Sequence, residues 1–542
     1  MTNDPSELEL GWTAVLLLAL AHAALFFASF HPLALFPLAW IAFAPFAVIV
    51  ERARTTGMAL AGGFLAFACG GGAAVVWLRL FGPEPWLATA FGFGLYGLFM
   101  VGVGRPMARG LGLPAVLWLP VAVCAQEFLR GHLFFWAFPW VYLGHSQIAI
   151  GPLVQSADLG GALLISFVVA AFSGGLADLA LRRRGALRLA GVVAAALVLC
   201  GYGALRERSI EVVGGGPRAL IVQANIPQDM KEGSGLTIET MLKMQYDLTM
   251  KSIDAARGRG EPVDLVVWPE TMVLPTKWRG SYARANRPWP FDPILPSASL
   301  DVDPDLRDWF KNIGGYSHGA RSIVGSLHAE DRAGELVEHN SAFYLAADGR
   351  VLGRYDKMFP APMSEYTPFY RSWPALYRFL RETFVPPGFS QFEPGADVPI
   401  WELDGWKLGA SVCFDITFPA ASNRAARNGA DVIVNVSNYG WFKDSAELDL
   451  ARVQTIFRAV ETRRGVVACC NGGISSLVDP RGRAEDIVGR DERTGAPSKK
   501  QVAGTLLRPL VTSRAFSLFA FAGDWVGAAS TAAALALAAL GA

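Results

Sequence analysis

Long apolar runs with almost no charge recur through the first 205 residues, at about 12–29, 33–50, 58–78, 86–104, 113–130, 158–181 and 189–205, and once more at about 515–541. Each is close to the length a helix needs to cross the hydrocarbon core of a bilayer. Between 206 and 514 the period changes. Short β-branched runs (ALIVQANIP at 219, DLVVWPET at 264, RSIVGSLH at 321, KLGASVC at 407, DVIVNVSN at 431, VVACC at 466) alternate with helical stretches such as LTIETMLKMQYDLTMKSIDAAR at 236 and DLARVQTIFRAVETRR at 449. Asp348 and Gly349 in FYLAADGRVLGRYDK mark a hairpin turn. The pattern predicts a membrane domain of about seven spans over 1–205, an α/β domain with flanking helices over 206–514, and a C-terminal transmembrane helix over 515–542.

Composition agrees: 52% of the 542 residues are hydrophobic, only 18% are charged, and the mean hydropathy is +0.32. A net charge of +1, with no basic cluster in the central region, excludes a nucleic-acid partner. The N-terminal MTNDPSELELG is acidic and further spans follow at once, so the first run reads as a retained anchor rather than a cleaved signal. Arginines set the orientation. Arg52 and Arg54 follow the second run, Arg105 and Arg109 the fourth, and Arg182, Arg183, Arg184 and Arg188 the sixth, whereas the alternate loops carry little beyond Arg79 and Arg130. Basic loops stay in the cytoplasm, which places 206–514 outside it and returns the C-terminus.

Two segments, 275–310 and 359–394, are rich in proline and aromatics, with Trp278, Trp289, Phe291, Trp309, Phe369, Tyr370, Trp373 and Phe389. Such segments serve as lids or membrane-facing loops, or as packed connectors over a sheet, and both readings stand.

The six cysteines form no CxxC metal pattern and no disulfide framework; Cys469 and Cys470 are adjacent, which strains any bridge between them. Cys413 is different in context. It closes the strand-like KLGASVC, as Glu270 closes DLVVWPE and Lys357 closes RYDK. Alone, each has a plain explanation: a core cysteine, a surface carboxylate, a solvated lysine. Together they resemble the glutamate, lysine and cysteine triad of the nitrilase superfamily, whose members place the three at the ends of sheet strands. The chemistry suits the set. A thiolate is the attacking species, so Glu270 can take the thiol proton and later deprotonate the incoming nucleophile. Lys357 can hold positive charge where an oxyanion develops, helped by the backbone N–H of Phe414 if a helical turn opens after Cys413. His318, His328 and His339 share the domain but not the neighbourhood of Cys413 in sequence, which leaves a Cys-His protease a weak rival.

From about residue 30 to its end the chain resembles the apolipoprotein N-acyltransferase family, the membrane-bound branch of that superfamily. The motifs that carry the resemblance are EFLRGHLFFWAFPWVYLGHSQ at 127–147, VQANIPQDMK at 222–231, VVWPET at 266–271, EY at 365–366, VCFDITFP at 412–419, NVSNYGWF at 435–442 and FRAVETRRG at 457–465. The resemblance implies an αββα sandwich, with Cys413 as nucleophile, Glu270 as base, Lys357 at the oxyanion and Glu365 as a supporting carboxylate. It also implies a ping-pong transfer of an acyl chain from a membrane phospholipid, through a cysteine thioester, to the α-amino group of a diacylglyceryl-modified lipoprotein. Trp136, Pro139, Trp140 and Trp441, with Phe138, would line the substrate path, or act as plain interfacial anchors. The expected setting is the bacterial inner membrane with the catalytic domain on the periplasmic side, as a monomer without cofactor or metal.

Against the family pattern, Phe414 stands where tyrosine is usual, Asp415 replaces a glutamate, and Ser364 a glycine. Tyr439 and Lys443 alter the acid and glycine around Trp441, and Ala468 occupies a position that is often arginine. None of these removes the triad. The alternatives are a membrane-tethered carbon-nitrogen hydrolase that uses water as acceptor, and a non-catalytic lipoprotein-binding protein on the same fold. The orientation has a direct test. A reporter active only outside the cytoplasm should work when fused within 206–514 and fail when fused at residue 183; the reverse pattern overturns the topology.

Overall fold

A computed structural model describes residues 9–133, 137–181, 185–227, 238–273, 304–332, 335–385, 391–491 and 494–542. Of the residues singled out above, Trp136, Arg182, Arg183, Arg184, Trp278, Trp289, Phe291 and Phe389 lie outside that set. The chain divides into two compact units, Met1–Ser209 with Ser517–Ala542, and Ile210–Phe516.

The first unit is helical. Among the described residues, four helices are long and apolar enough to cross a bilayer: Thr56–Ala74, Pro83–Gly110, Ala157–Ala180 and Gly185–Ser209. Trp12–Ala28 and Trp525–Gly541 are apolar but shorter, with 17 residues each, and Ala115–His132 carries Pro120, Gln126, Glu127 and Arg130 within it. The run at 33–50, read above as one span, is instead broken into a 3-10 turn at Phe36–Leu38 and short helices at Ala39–Ala42 and Ala44–Arg52. Pro37 and Pro45 explain the breaks, since proline lacks an N–H and suits only the first turn of a helix. The C-terminal run breaks likewise at Gly523, whose φ is +69°. Two of the arginines used to read orientation also close helix ends. Arg105 donates to the carbonyls of Val50 and Ala53, and Arg109 to those of Glu51 and Ala53, which satisfies the orphan acceptors at the end of Ala44–Arg52.

The second unit contains two six-stranded sheets. In the first, β1 (Arg218–Gln223), β2 (Leu265–Val273), β3 (Arg321–Arg332), β4 (Glu335–Leu345) and β5 (Val351–Asp356) follow in spatial order, with the strand Gly504–Pro509 outside β1. In the second, β6 (Ile400–Leu403), β7 (Trp406–Val412), β8 (Val432–Asn438), β9 (Gly465–Asn471), β10 (Ser476–Val478) and β11 (Ala484–Asp486) do the same. β1, β2 and β3 run parallel, as do β7, β8 and β9. That is why those segments read as continuous apolar runs: β8 and β9 are buried at every residue. The sheets face each other, while Ile238–Gly258 and Pro304–Tyr316 cover the first and Pro419–Arg427 and Glu447–Thr462 the second. This is the αββα sandwich expected.

Particular side chains fix the layers. Trp268, fully buried, donates to Thr249 of the outer helix at 3.0 Å, and Cys469 lies between the sheets with its thiol 3.1 Å from the Val267 carbonyl. The β4–β5 hairpin turns at Asp348 and Gly349, where Gly349 has φ +78° and Asp348 accepts the Arg350 N–H. Trp309 packs edge-on against Tyr246 beside the core, so it is a connector residue, whereas Trp373 is 59% exposed at the start of the amphipathic helix Pro374–Phe384.

The β2–β3 register jumps between Trp268 and Val273, which paired residues on β3 span in only two steps, from Val324 to Ser326. Pro269 cannot donate to the ladder, Thr271 has φ +52°, and the strand bulges there. Gly325 makes room for the bulge, since a Cβ on it would lie 2.4 Å from the Glu270 Cα and 2.7 Å from the Pro269 oxygen. Both are backbone atoms that cannot swing away. Gly325→Ala should therefore cost about 1–3 kcal/mol in a thermal or denaturant melt and displace Glu270; unchanged stability and turnover would refute this account of the bulge.

Candidate active site

Glu270, Lys357 and Cys413 reach one place from three strand ends. Glu270 sits on the bulge of β2, Lys357 follows β5 with its N–H bound to the Asn340 carbonyl at 2.9 Å, and Cys413 follows β7. Cys413 has φ +49°, a left-handed conformation that costs a β-carbon residue about 1 kcal/mol or more, and it opens the 3-10 turn Cys413–Thr417 that contains Phe414. Asp415 holds that turn. Its carboxylate accepts from the Val412 N–H at 3.0 Å, the Phe359 N–H at 2.8 Å and the Tyr355 hydroxyl at 2.7 Å, so it ties the cysteine turn to the segment that carries Lys357. Burial raises the Asp415 carboxyl to about 6, against the pull of Lys357 and these donors.

The Lys357 ammonium is buried, 2.7 Å from Glu365 and 3.5 Å from Glu270. Burial works against its charge, but Glu365, Cys413, Glu270 and Asp415 outweigh that effect and hold its pKa above the ordinary lysine value. Asn340 bridges the two glutamates through its amide nitrogen, 2.7 Å from Glu270 and 2.8 Å from Glu365. Glu270 also accepts the Asn438 N–H at 2.8 Å, and Glu365 the Ala361 N–H at 2.7 Å. These donors thus fix the carboxylate oxygens of Glu270 and Glu365.

Glu270 and Lys357 both act electrostatically on the Cys413 thiol. Burial pushes its pKa well up and Glu270 adds to the rise, while Lys357 opposes it, so the resting group is a neutral thiol that needs a base at the moment of attack. Cys413 packs against a cluster of Tyr439, Leu448, Ala451, Ala468, Cys470 and Ile474, together with Phe442. Trp441 precedes Phe442 on the turn Gly440–Phe442. In the helical unit, Trp140 is buried against Phe138 and Trp77, at ring separations of 4.9 and 6.0 Å.

Asn340 carried no motif signal beyond an amide just before the apolar AFYL, and Asp415 stood out only as a departure, although three hydrogen bonds make it the keystone of the turn. Glu447, discussed below, carried no signal.

A carbon-nitrogen hydrolase model matches residues 219–494, and a model of the apolipoprotein N-acyltransferase N-terminal domain matches residues 22–175. An apolipoprotein N-acyltransferase of Azotobacter vinelandii is 30% identical over 75% of this chain and 71% of its own length, and that of Geobacter metallireducens is 29% identical over 86% and 85%. A solved amidase from Nesterenkonia sp. is 16% identical and covers 56% of this chain and 92% of its own, with a TM-score of 0.37. By its match to the hydrolase model, the two-sheet unit is a carbon-nitrogen hydrolase domain. With its helical N-terminal half, the chain belongs to the apolipoprotein N-acyltransferase family.

If Lys357 supplies charge to an oxyanion, Lys357→Met should lower acyl transfer on the order of 10²-fold or more, as loss of an oxyanion donor commonly does. Lys357→Arg should be a poor substitute, because a planar fork presents its charge differently from an ammonium. Near-normal turnover by Lys357→Met would leave the lysine a purely structural ion.

Proposed function

We propose that this protein is a membrane-bound N-acyltransferase that moves an acyl chain from a phospholipid, through Cys413, to the N-terminal amine of a diacylglyceryl-modified lipoprotein. The observation that carries the reading is the meeting of Glu270, Lys357 and Cys413 in a carbon-nitrogen hydrolase domain joined to an apolar helical unit. Glu270 takes the thiol proton as sulfur attacks the ester carbonyl. The oxyanion gathers near Lys357, then collapses to a thioester as Glu270 returns the proton to the departing alcohol of the lysophospholipid. In the second half-reaction Glu270 takes a proton from the acceptor amine, the nitrogen attacks the thioester, and the Cys413 thiol leaves with its proton restored.

Two features favour acyl transfer over hydrolysis by a tethered amidase: the helical half matches the acyltransferase model, and the relatives matching along most of the chain bear that name. Both substrates are lipid-anchored, which suits a chain with bilayer-spanning helices. With the orientation argued from the loop arginines, the acceptors would be met on the outer face of the inner membrane.

The test separates donor from acceptor. Labelled phospholipid without acceptor should leave an acyl chain on the protein, labile to neutral hydroxylamine as thioesters are, and a diacylglyceryl-cysteine peptide should discharge it as an amide. Cys413→Ala should abolish both steps and Glu270→Gln suppress them, whereas replacing Cys469 and Cys470 together should leave the intermediate intact. Label that accumulates on Cys413→Ala would show that another residue is the nucleophile.

A further inference from the structure

One buried acid near Cys413 has no part in the chemistry above. Glu447, 1% exposed, begins the helix Glu447–Thr462, and its Oε2 has no hydrogen-bond partner. The next residue, Leu448, belongs to the cluster that packs against Cys413. Glu447 interacts electrostatically with both polar members of that cluster, Tyr439 and Cys470, and Tyr439 in turn with Cys413. The cation that acts on Glu447, Lys500, is committed elsewhere: it binds Asp449 at 2.5 Å and the Ser445 carbonyl at 3.2 Å, with Asp444 at 3.7 Å. Among the described residues Glu447 has no ion-pair partner.

We propose that Glu447 is a positioning residue for the nucleophile: as a neutral carboxyl it keeps the Tyr439 and Cys470 side of the pocket free of negative charge, and loss of its proton opposes formation of the Cys413 thiolate. The physical basis is the cost of an unpaired charge in an apolar layer. Burial, reinforced by Asp449 and opposed by Lys500, raises the Glu447 carboxyl to about 8. The groups facing Cys413 are Glu270 and Glu365, which oppose a thiolate, and Lys357, which favours it. A negative Glu447 would add to the first two through the Tyr439 and Cys470 layer, where low dielectric lets charge act over several ångströms. The sign follows: below about 8 the acid is neutral and thiolate formation is unhindered, and above it the same step is disfavoured.

This inference rests on Cys413 as the nucleophile, so its test needs a readout independent of lipid transfer. The rate of alkylation at Cys413 by iodoacetamide, followed by mass spectrometry on the full chain in detergent from pH 6 to 9.5, reports thiolate formation directly. Glu447→Gln keeps shape and neutrality at every pH. Its rate, divided by that of the unaltered protein, should climb by roughly threefold or more between pH 7 and pH 9, equivalent to about half a pKa unit at the thiol. Asp449→Asn should move the transition to lower pH and Lys500→Met to higher pH, and these two surface variants test the idea even if Glu447→Gln fails to fold. A flat ratio, or a transition that ignores both neighbours, overturns the proposal. Failure of labelled phospholipid to acylate the unaltered protein, with the alkylation pattern intact, would instead count against the acyl-transfer reading alone.

Discussion

The constraint on which the catalytic unit depends is a buried ammonium. Lys357 lies almost wholly out of water, and a lone charge there would be expelled or neutralised. Glu365 and Glu270 hold it at 2.7 and 3.5 Å, and these carboxylates need partners of their own, which Asn340, Asn438 and Ala361 supply. Such a network is stable only when complete, because a buried polar group left unpaired costs about 1–3 kcal/mol and a charged one more. Each strand that contributes to it is thereby fixed in register. β2 must bulge to present Glu270, β4 must place Asn340 between the glutamates, and β8 must end where Asn438 can reach across to β2.

The same network joins the two sheets, so packing and chemistry share their supports. Glu270 belongs to the first sheet and receives a backbone N–H from the second. Asp415 belongs to the turn after β7 of the second sheet and receives the Tyr355 hydroxyl from β5 of the first. The Cys413 sulfur is placed by this cross-linking, and the left-handed conformation of Cys413 is held by it.

How much of this could be read from the sequence depended on how local each cause was. Glu270, Lys357 and Cys413 were legible because each stands where a β-branched run stops, and the hairpin was legible because Asp348 and Gly349 impose their own turn. The α/β domain followed from alternating strand and helix periods, and its αββα sandwich from the family resemblance. The bulge was hidden, since Pro269 signals a break but not that Gly325, on a strand more than fifty residues away, has been kept small to receive it. Asn340 and Glu447 were hidden for the same reason: their importance comes from what the fold brings beside them. In the helical unit, hydropathy found the apolar runs but not the breaks inside them, because Pro37 and Pro45 leave a window's average apolar while removing backbone donors.

The charge balance around Cys413 also explains why proton transfer within the site is the favoured way to make a thiolate. Glu270, Glu365 and Asp415 face the single cation Lys357, so releasing the thiol proton to water would add another negative charge to a pocket where acids already outnumber bases. Passing the proton to Glu270 creates the thiolate and removes a carboxylate charge in the same step, which leaves the total unchanged. Glu270, which acts on the Cys413 thiol, is the base placed for that exchange, and Lys357, which lies beside the glutamate and acts on the sulfur, favours the anion wherever it resides. In the proposed transfer the negative charge passes to the oxyanion as the sulfur attacks, and it returns to the Glu270 carboxylate as that acid protonates the departing alcohol and the thioester forms. A fixed ammonium flanked by two acids can serve every stage without itself gaining or losing a proton.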